Sequence, residues 1–126
     1  NVEGALLSLG DLHAKQGAGE LLGCAVECDG KVTLKAEVIR RKDLPWFDWP
    51  QVNTAKMMGS LGFVDNSIEA SIRNAVFDLT KRVEMEFGMP FMDAYMLIGQ
   101  CVNVEICQML GNACAAFASI DRELFL

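Results

Sequence analysis

Asp11, His13, Gln16 and Glu20 are the residues whose types and spacing could carry chemistry in this chain. His13 is the sole histidine. If Leu9 to His13 is extended, alternate residues point to one side, so Asp11 and His13 share a face. An imidazole and a carboxylate on one face supply two of the ligands that zinc or a similar divalent ion takes. Glu20 emerges from the flexible stretch Gly17-Ala18-Gly19. That stretch can return a second carboxylate to the same place, as a third ligand or as the base that activates water. Gln16 can hydrogen-bond a substrate amide or orient a ligand. An Asp-x-His pair joined by a plain structural hydrogen bond has the same spacing, so spacing alone leaves both readings open.

Two other constellations compete with this one. Acyl-group hydrolysis can run through a thioester, with Cys24 or Cys28 as nucleophile and His13 with Asp11 or Glu20 as its base system. No glycine-rich nucleophile turn surrounds any cysteine, which favours buried core thiols. Asn103, Glu105 and Gln108 are polar residues in an apolar stretch, and buried polar groups need partners. They fit a contact to the metal loop, to a missing domain, or a structural network. Trp46, Phe47 and Trp49 suit a small apolar pocket, an interface or ordinary packing.

The elements that must position these residues follow from periodicity. Residues 4 to 9 read as a short apolar strand and 10 to 20 as a glycine-rich loop. Residues 21 to 28 and 31 to 39 read as two strands joined at Asp29-Gly30, the signal for a two-residue hairpin turn. In the second, Val32, Leu34, Ala36 and Val38 alternate with polar residues, giving one buried face. The segment from Pro45 to Pro50 breaks the sheet, and 52 to 63 holds a short strand. Asn66, with Glu69 three residues on, makes a capping-box pattern for a first helix. Ile68, Ile72, Val76, Leu79, Val83 and Phe87 follow at helical spacing, and Gly88 stops it. Pro90 opens a second helix expected to reach about Leu110, apolar all round and therefore buried. Residues 113 to 118 return to the sheet and 120 to 126 form a last turn. The fold class expected is α+β: a sheet containing a β-hairpin, packed by two main helices.

Length bounds the rest. The 126 residues make a single domain, 1 to 126, large enough for a true core. With 52% hydrophobic and 22% charged residues it is globular and not disordered. Mean hydropathy is positive, so apolar surface is expected to meet another chain or domain. A start at Asn1 fits a processed fragment or one half of a larger protein. Gln100, Asn103 and Glu105 interrupt the longest apolar stretches, so no membrane span is expected, and no signal peptide is evident. A net charge of −6 argues against nucleic acid and anionic membranes as partners. Arg40-Arg41-Lys42 reads as a solvated strand end. Five cysteines, an odd number with no Cys-x-x-Cys, point to reduced thiols in a cytoplasmic protein.

The run Leu7 to Glu20, Leu-Ser-Leu-Gly-Asp-Leu-His-Ala-Lys-Gln-Gly-Ala-Gly-Glu, followed by Gly23 and Glu27, resembles the hallmark segment of the acetamidase/formamidase family. That segment reads Gly-Asp-x-His-Ala-x-Gln-Gly-Asp-Gly-Glu. The likeness continues through Trp49-Pro50, the helix after Asn66, Asp93-Ala94-Tyr95 and Ile106-Cys107-Gln108. It covers essentially the whole chain, which looks like the C-terminal half of the family's polypeptide. The resemblance implies hydrolysis of short amides such as formamide or acetamide to the acid and ammonia. It also implies a divalent metal, zinc first and calcium second, and a β-rich oligomeric enzyme, or one completed by a companion N-terminal half. On the matching positions, Asp11 and His13 are expected as ligands, Glu20 as ligand or general base, and Gln16 as a substrate contact. Two positions depart from the pattern. Ala18 stands where the motif has its second acid, which predicts altered metal binding. Asn103 and Glu105 stand where the family has an acidic and a basic residue, which predicts altered substrate choice. A non-catalytic binding or assembly module that retains the fold is the alternative.

Overall fold

The computed structural model describes residues 4–40 and 47–125. Its order is β1 (His13–Lys15), a 3₁₀ turn (Ala18–Glu20), β2 (Val26–Glu27), β3 (Gln51–Asn53), β4 (Met57–Phe63), α1 (Ile68–Phe87), α2 (Phe91–Cys101), β5 (Asn103–Leu110), β6 (Ala113–Asp121) and a closing 3₁₀ turn (Arg122–Phe125). β1 and β2 form a small antiparallel sheet, and the larger sheet runs β3-β4-β6-β5, antiparallel throughout. The α+β class stands, with two main helices.

The larger sheet receives α1 on a row whose side chains are small from Ser60 to Gly62 and from Ala118 to Ala116. Across the β4–β6 ladder, Met58, Ser60 and Gly62 face Ile120, Ala118 and Ala116. A side chain at Gly62 would fall 2.1 Å from the Ser71 carbonyl oxygen and 2.7 Å from the Ala75 nitrogen. The helix backbone therefore lies almost on the strand. Met58, Ala75, Leu79, Val83, Ala94, Ile98, Ala118 and Ile120 make the buried core. Removing these apolar surfaces from water is what holds the two helices to the sheet.

Polar groups are buried at one end of this contact, each with partners. Asp78 of α1 accepts from the Asp48 backbone N–H, from Gln51 Nε2 and from Ser60 Oγ. One turn on, Arg82 donates to Glu86, to Gln51 Oε1, to Asn53 Oδ1 and to the carbonyls of Val52 and Gly59. Satisfied in this way, the network ties α1 to the edge strand β3.

The first helix is capped one residue later than expected. Ser67 Oγ accepts from the Ala70 N–H at 3.1 Å, while Asn66 sits ahead of it with φ 59°. Glu69 is therefore too early for a capping box, and its carboxylate pairs with Arg73 instead. Gly88 ends the helix at φ 63°.

The second helix is shorter than expected. It stops at Cys101, and Asn103–Leu110 is strand β5, joined to β6 through Gly111-Asn112. A two-residue Gly-Asn turn between β-formers is a hairpin signal. It outweighs an apolar pattern that a two-sided strand shares with a buried helix. Asn103, Glu105 and Gln108 consequently lie on β5, exposed or half-buried, and are not a buried helical network.

The N-terminal strands are the larger correction. Residues 4–9 and 31–39 form no strand, and of 21–28 only Val26–Glu27 does. β2 pairs with β1, not across Asp29-Gly30. Val32, Leu34 and Val38, the expected buried row, are 51%, 57% and 94% exposed. A strand is held by burying its apolar face against cross-strand neighbours, and this row is left open. Arg41, Lys42, Pro45, Trp46 and Leu126 lie outside the described residues. Arg40 is exposed, as expected of a solvated end, and Phe47 and Trp49 are half-buried. The thiols are free, but Cys24, Cys28 and Cys107 are exposed and Cys114 alone is buried, against the expectation of core thiols. No helix among the described residues is long and apolar enough to cross a membrane.

Candidate metal centre

β1 begins at His13, and its register on β2 places His13 opposite Glu27. An irregularity follows at once, between His13 and Lys15. Such a bulge redirects side chains locally. His13 Nε2 lies 3.0 Å from Glu27 Oε1 and 3.4 Å from Asp11 Oδ1. Its other nitrogen, Nδ1, is 3.1 Å from Gln16 Oε1. The His13 side chain is only 10% exposed, although the carboxylates around it are open to water.

Asp11 is not extended. Its φ is 59°, so the i to i+2 argument for a shared face does not apply, yet its carboxylate still reaches His13. Among the described residues, Asp11, Glu20 and Asn66 are the non-glycine residues with positive φ. Two of these are candidate site residues. Left-handed backbone at such residues is unfavourable by about 1–3 kcal/mol each, and it concentrates where geometry serves a function.

Both imidazole nitrogens face acceptors. The Gln16 amide oxygen, then the Glu27 carboxylate and the charges of Glu27 and Asp11, raise the His13 pKa above its ordinary value, against a lowering by partial burial. The protonated ring donates Nδ1–H to Gln16 and Nε2–H to Glu27. Exchanging the Nε2 proton for a cation leaves the Gln16 bond intact. That bond fixes the tautomer whose Nε2 lone pair points at the carboxylates.

The donor set fits a metal. One ligand atom from each of Asp11, His13 and Glu27 lies within 4.8 Å of the others. Tetrahedral ligands at about 2.0–2.1 Å from zinc stand roughly 3.3 Å apart. The 3.0 and 3.4 Å separations from His13 Nε2 to the two carboxylates straddle that spacing. One imidazole with two carboxylates leaves a position open, as catalytic zinc sites do.

The structure thus brings Asp11, His13 and Gln16 together and adds Glu27, which sequence reasoning did not select as a site residue. Glu27 is fourteen positions from His13, and the cross-strand register is what joins them. Glu20 is not a member of the cluster. It lies in the 3₁₀ turn, where its N–H donates to the Gly17 carbonyl and its carbonyl accepts from the Gly23 N–H. There it lines a shallow hollow of about 250 Å³ with Gly17, Ala18, Leu21, Leu22 and Cys24. A larger groove of about 510 Å³ between α1 and α2, lined by Ile72, Val76, Phe77 and Tyr95 among others, holds none of these residues. Cys28 Sγ donates to the Leu12 carbonyl at 3.6 Å, and the His13 nitrogens are engaged by Gln16 and the carboxylates, so no Cys–His pair forms among the described residues.

The acetamidase/formamidase family model matches residues 1–125. The chain belongs to the acetamidase/formamidase family. Its fold is similar to that of a recombinant predicted acetamidase/formamidase from Thermoanaerobacter tengcongensis, with a TM-score of 0.84 and 31% identity over 98% of this chain and 40% of that one. It is also similar to acetamidases from Bacillus halodurans (TM-score 0.78, 26% identity, 98% of this chain and 41% of that one) and Yersinia enterocolitica (0.72, 28%, 90% and 33%). A candidate formamidase of Schizosaccharomyces pombe is 46% identical over 41 residues, 32% of this chain and 10% of that protein. The chain therefore spans a tenth of that relative's length and 33–41% of the solved structures.

Proposed function

We propose that this chain contributes the metal-binding part of an amidohydrolase acting on short linear amides, formamide and acetamide first among them. The observation that carries the reading is the pair of carboxylate oxygens 3.0 and 3.4 Å from one imidazole nitrogen, with the other nitrogen held by Gln16. Asp11, His13 and Glu27 would hold the metal, zinc before calcium. When bound, the ion supplies Lewis acidity, which polarises an amide carbonyl and makes water a nucleophile near neutral pH.

The chain's own residues do the rest. Gln16 holds the His13 ring in the ligating tautomer. Glu20, outside the ligand cluster, takes the proton from water and returns it to the departing nitrogen, which must leave as ammonia. The hollow beside Glu20 is lined mostly by glycine, alanine and leucine, which suits a substrate with one or two carbons. The open apolar side chains of residues 4–40 support burial against a companion N-terminal half or a second copy, in a cytoplasmic assembly.

A binding or assembly module without turnover is the second reading, and Ala18 in place of the motif's acid favours it. Metal content and ammonia release from formamide and acetamide, measured together on the wild-type holoprotein and on His13→Ala, separate the two. Stoichiometric metal with turnover, both lost in His13→Ala, supports the hydrolase. Metal without turnover supports the module, and absence of metal removes the site.

A further inference from the structure

Gly19 is the one buried residue among the described residues 4–40, and Ile106 of β5 lies against it. A Cβ at position 19 would fall 2.9 Å from Ile106 Cγ2, and φ there is +76°. At the other end of the same turn Gly23, with φ +65°, faces Leu110, where a Cβ would lie 3.1 Å from Cδ1. Two glycines thus seat the turn that carries Glu20 on strand β5. The seat is itself shaped by the strand. Pairing passes from Ile106↔Ala116 to Gln108↔Ala115, which bulges β5 at Cys107. A bulge next to a site re-aims the side chain beside it. Inside the turn, the Glu20 N–H to Gly17 carbonyl bond (3.1 Å) and the Gly23 N–H to Glu20 carbonyl bond (3.0 Å) leave Glu20 little freedom of its own. Where the turn sits, Glu20 sits.

We infer that Ile106 is a positioning residue for the amide-hydrolysing site: its Cγ2 methyl, pressed on Gly19, sets where the turn holds Glu20. The inference rests on the proposed role of Glu20 as the acid–base group. Ile106 touches no substrate and no ligand atom in this account. It acts through the turn.

Two substitutions separate shape from volume. Ile106→Val keeps the β-branch methyl that meets Gly19 and removes only the distal carbon. Ile106→Leu keeps the volume but moves the branch outward, withdrawing that methyl. In the metal-loaded holoprotein, Ile106→Val is expected to retain wild-type kcat. Ile106→Leu is expected to lower kcat roughly 10- to 100-fold with KM and metal content unchanged, since misplacing a catalytic group by about 1 Å has effects of that size. Hydrogen exchange gives a readout free of turnover: the Glu20 amide should lose protection in Ile106→Leu and keep it in Ile106→Val. Simple filling of space predicts the reverse order, because Val leaves a void and Leu does not. Wild-type kcat and exchange in Ile106→Leu would overturn the seat while leaving amide hydrolysis standing. A metal-loaded wild type that cleaves no amide would overturn the reaction, and this role with it.

Discussion

Replacing Gln16 by Leu isolates the step from hydrogen bond to metal affinity. In the structure Gln16 accepts from His13 Nδ1 at 3.1 Å in an exposed contact, so water competes for that nitrogen once the amide is gone. Leu keeps the apolar bulk and removes the acceptor. The neutral ring is then free to carry its proton on Nε2, the atom that must ligate. Outer-shell partners of ligating histidines are worth roughly 10- to 100-fold in metal affinity. A neutral amide acceptor holds the proton less firmly than a carboxylate, which puts Gln16→Leu near the lower figure, at about 10-fold weaker zinc binding. Gln16→Glu should bind zinc at least as tightly as wild type. Competition with a chelating dye as zinc is returned to the metal-stripped protein, at one fixed pH, measures both. Unchanged zinc affinity in Gln16→Leu with a raised KM for acetamide would refute the reasoning, because Gln16 would then be a substrate contact and not a ligand's partner.

Three further outcomes follow from the same geometry. Glu27→Gln should lose metal, whereas Glu20→Gln should keep metal and lose kcat, read by metal analysis beside ammonia release; the opposite pattern would put Glu20 among the ligands. Arg82→Met removes the donor to Gln51 Oε1 and to two backbone carbonyls, breaks the pair with Glu86 and leaves Asn53 Oδ1 with Arg122 alone, and urea unfolding should show a loss of about 3 kcal/mol or more. Gly62→Ala places a carbon 2.1 Å from the Ser71 carbonyl oxygen, so α1 must lift from β4, and the same assay should register at least about 2 kcal/mol.

The helices were legible because their signals are local. The spacing of Ile68, Ile72, Val76 and Leu79, the stop at Gly88 and the start at Pro90 each act within a few residues. The cap slipped by one residue because Asn66 and Ser67 are both good caps, and the left-handed turn at Asn66 decides between them. The β5–β6 hairpin was readable at Gly111-Asn112 but was masked by an apolar stretch that reads as helix. The strands expected between residues 4 and 39 depend on a covering surface, which no local pattern reports. In the site, Asp11, His13 and Gln16 stand close in sequence and close in space. Glu27 was hidden because only the β1–β2 register brings it back, and Glu20 lies in the 3₁₀ turn outside the ligand cluster.

The core draws on residues 58 to 120, whereas Asp11, His13 and Glu27 belong to a stretch whose buried point is Gly19 on β5. Cooperative stability is therefore unevenly distributed. The helix–sheet unit holds the buried core, while the site stretch is held by its seat and the short β1–β2 ladder, and segments with so few buried contacts open at a lower free energy than the whole fold. A cation that binds only the seated form must supply the free energy of seating, so its apparent affinity falls by the unseated fraction. Whatever covers the open leucines and valines of this stretch would then raise metal affinity without touching a ligand, and assembly and metal loading would be thermodynamically linked.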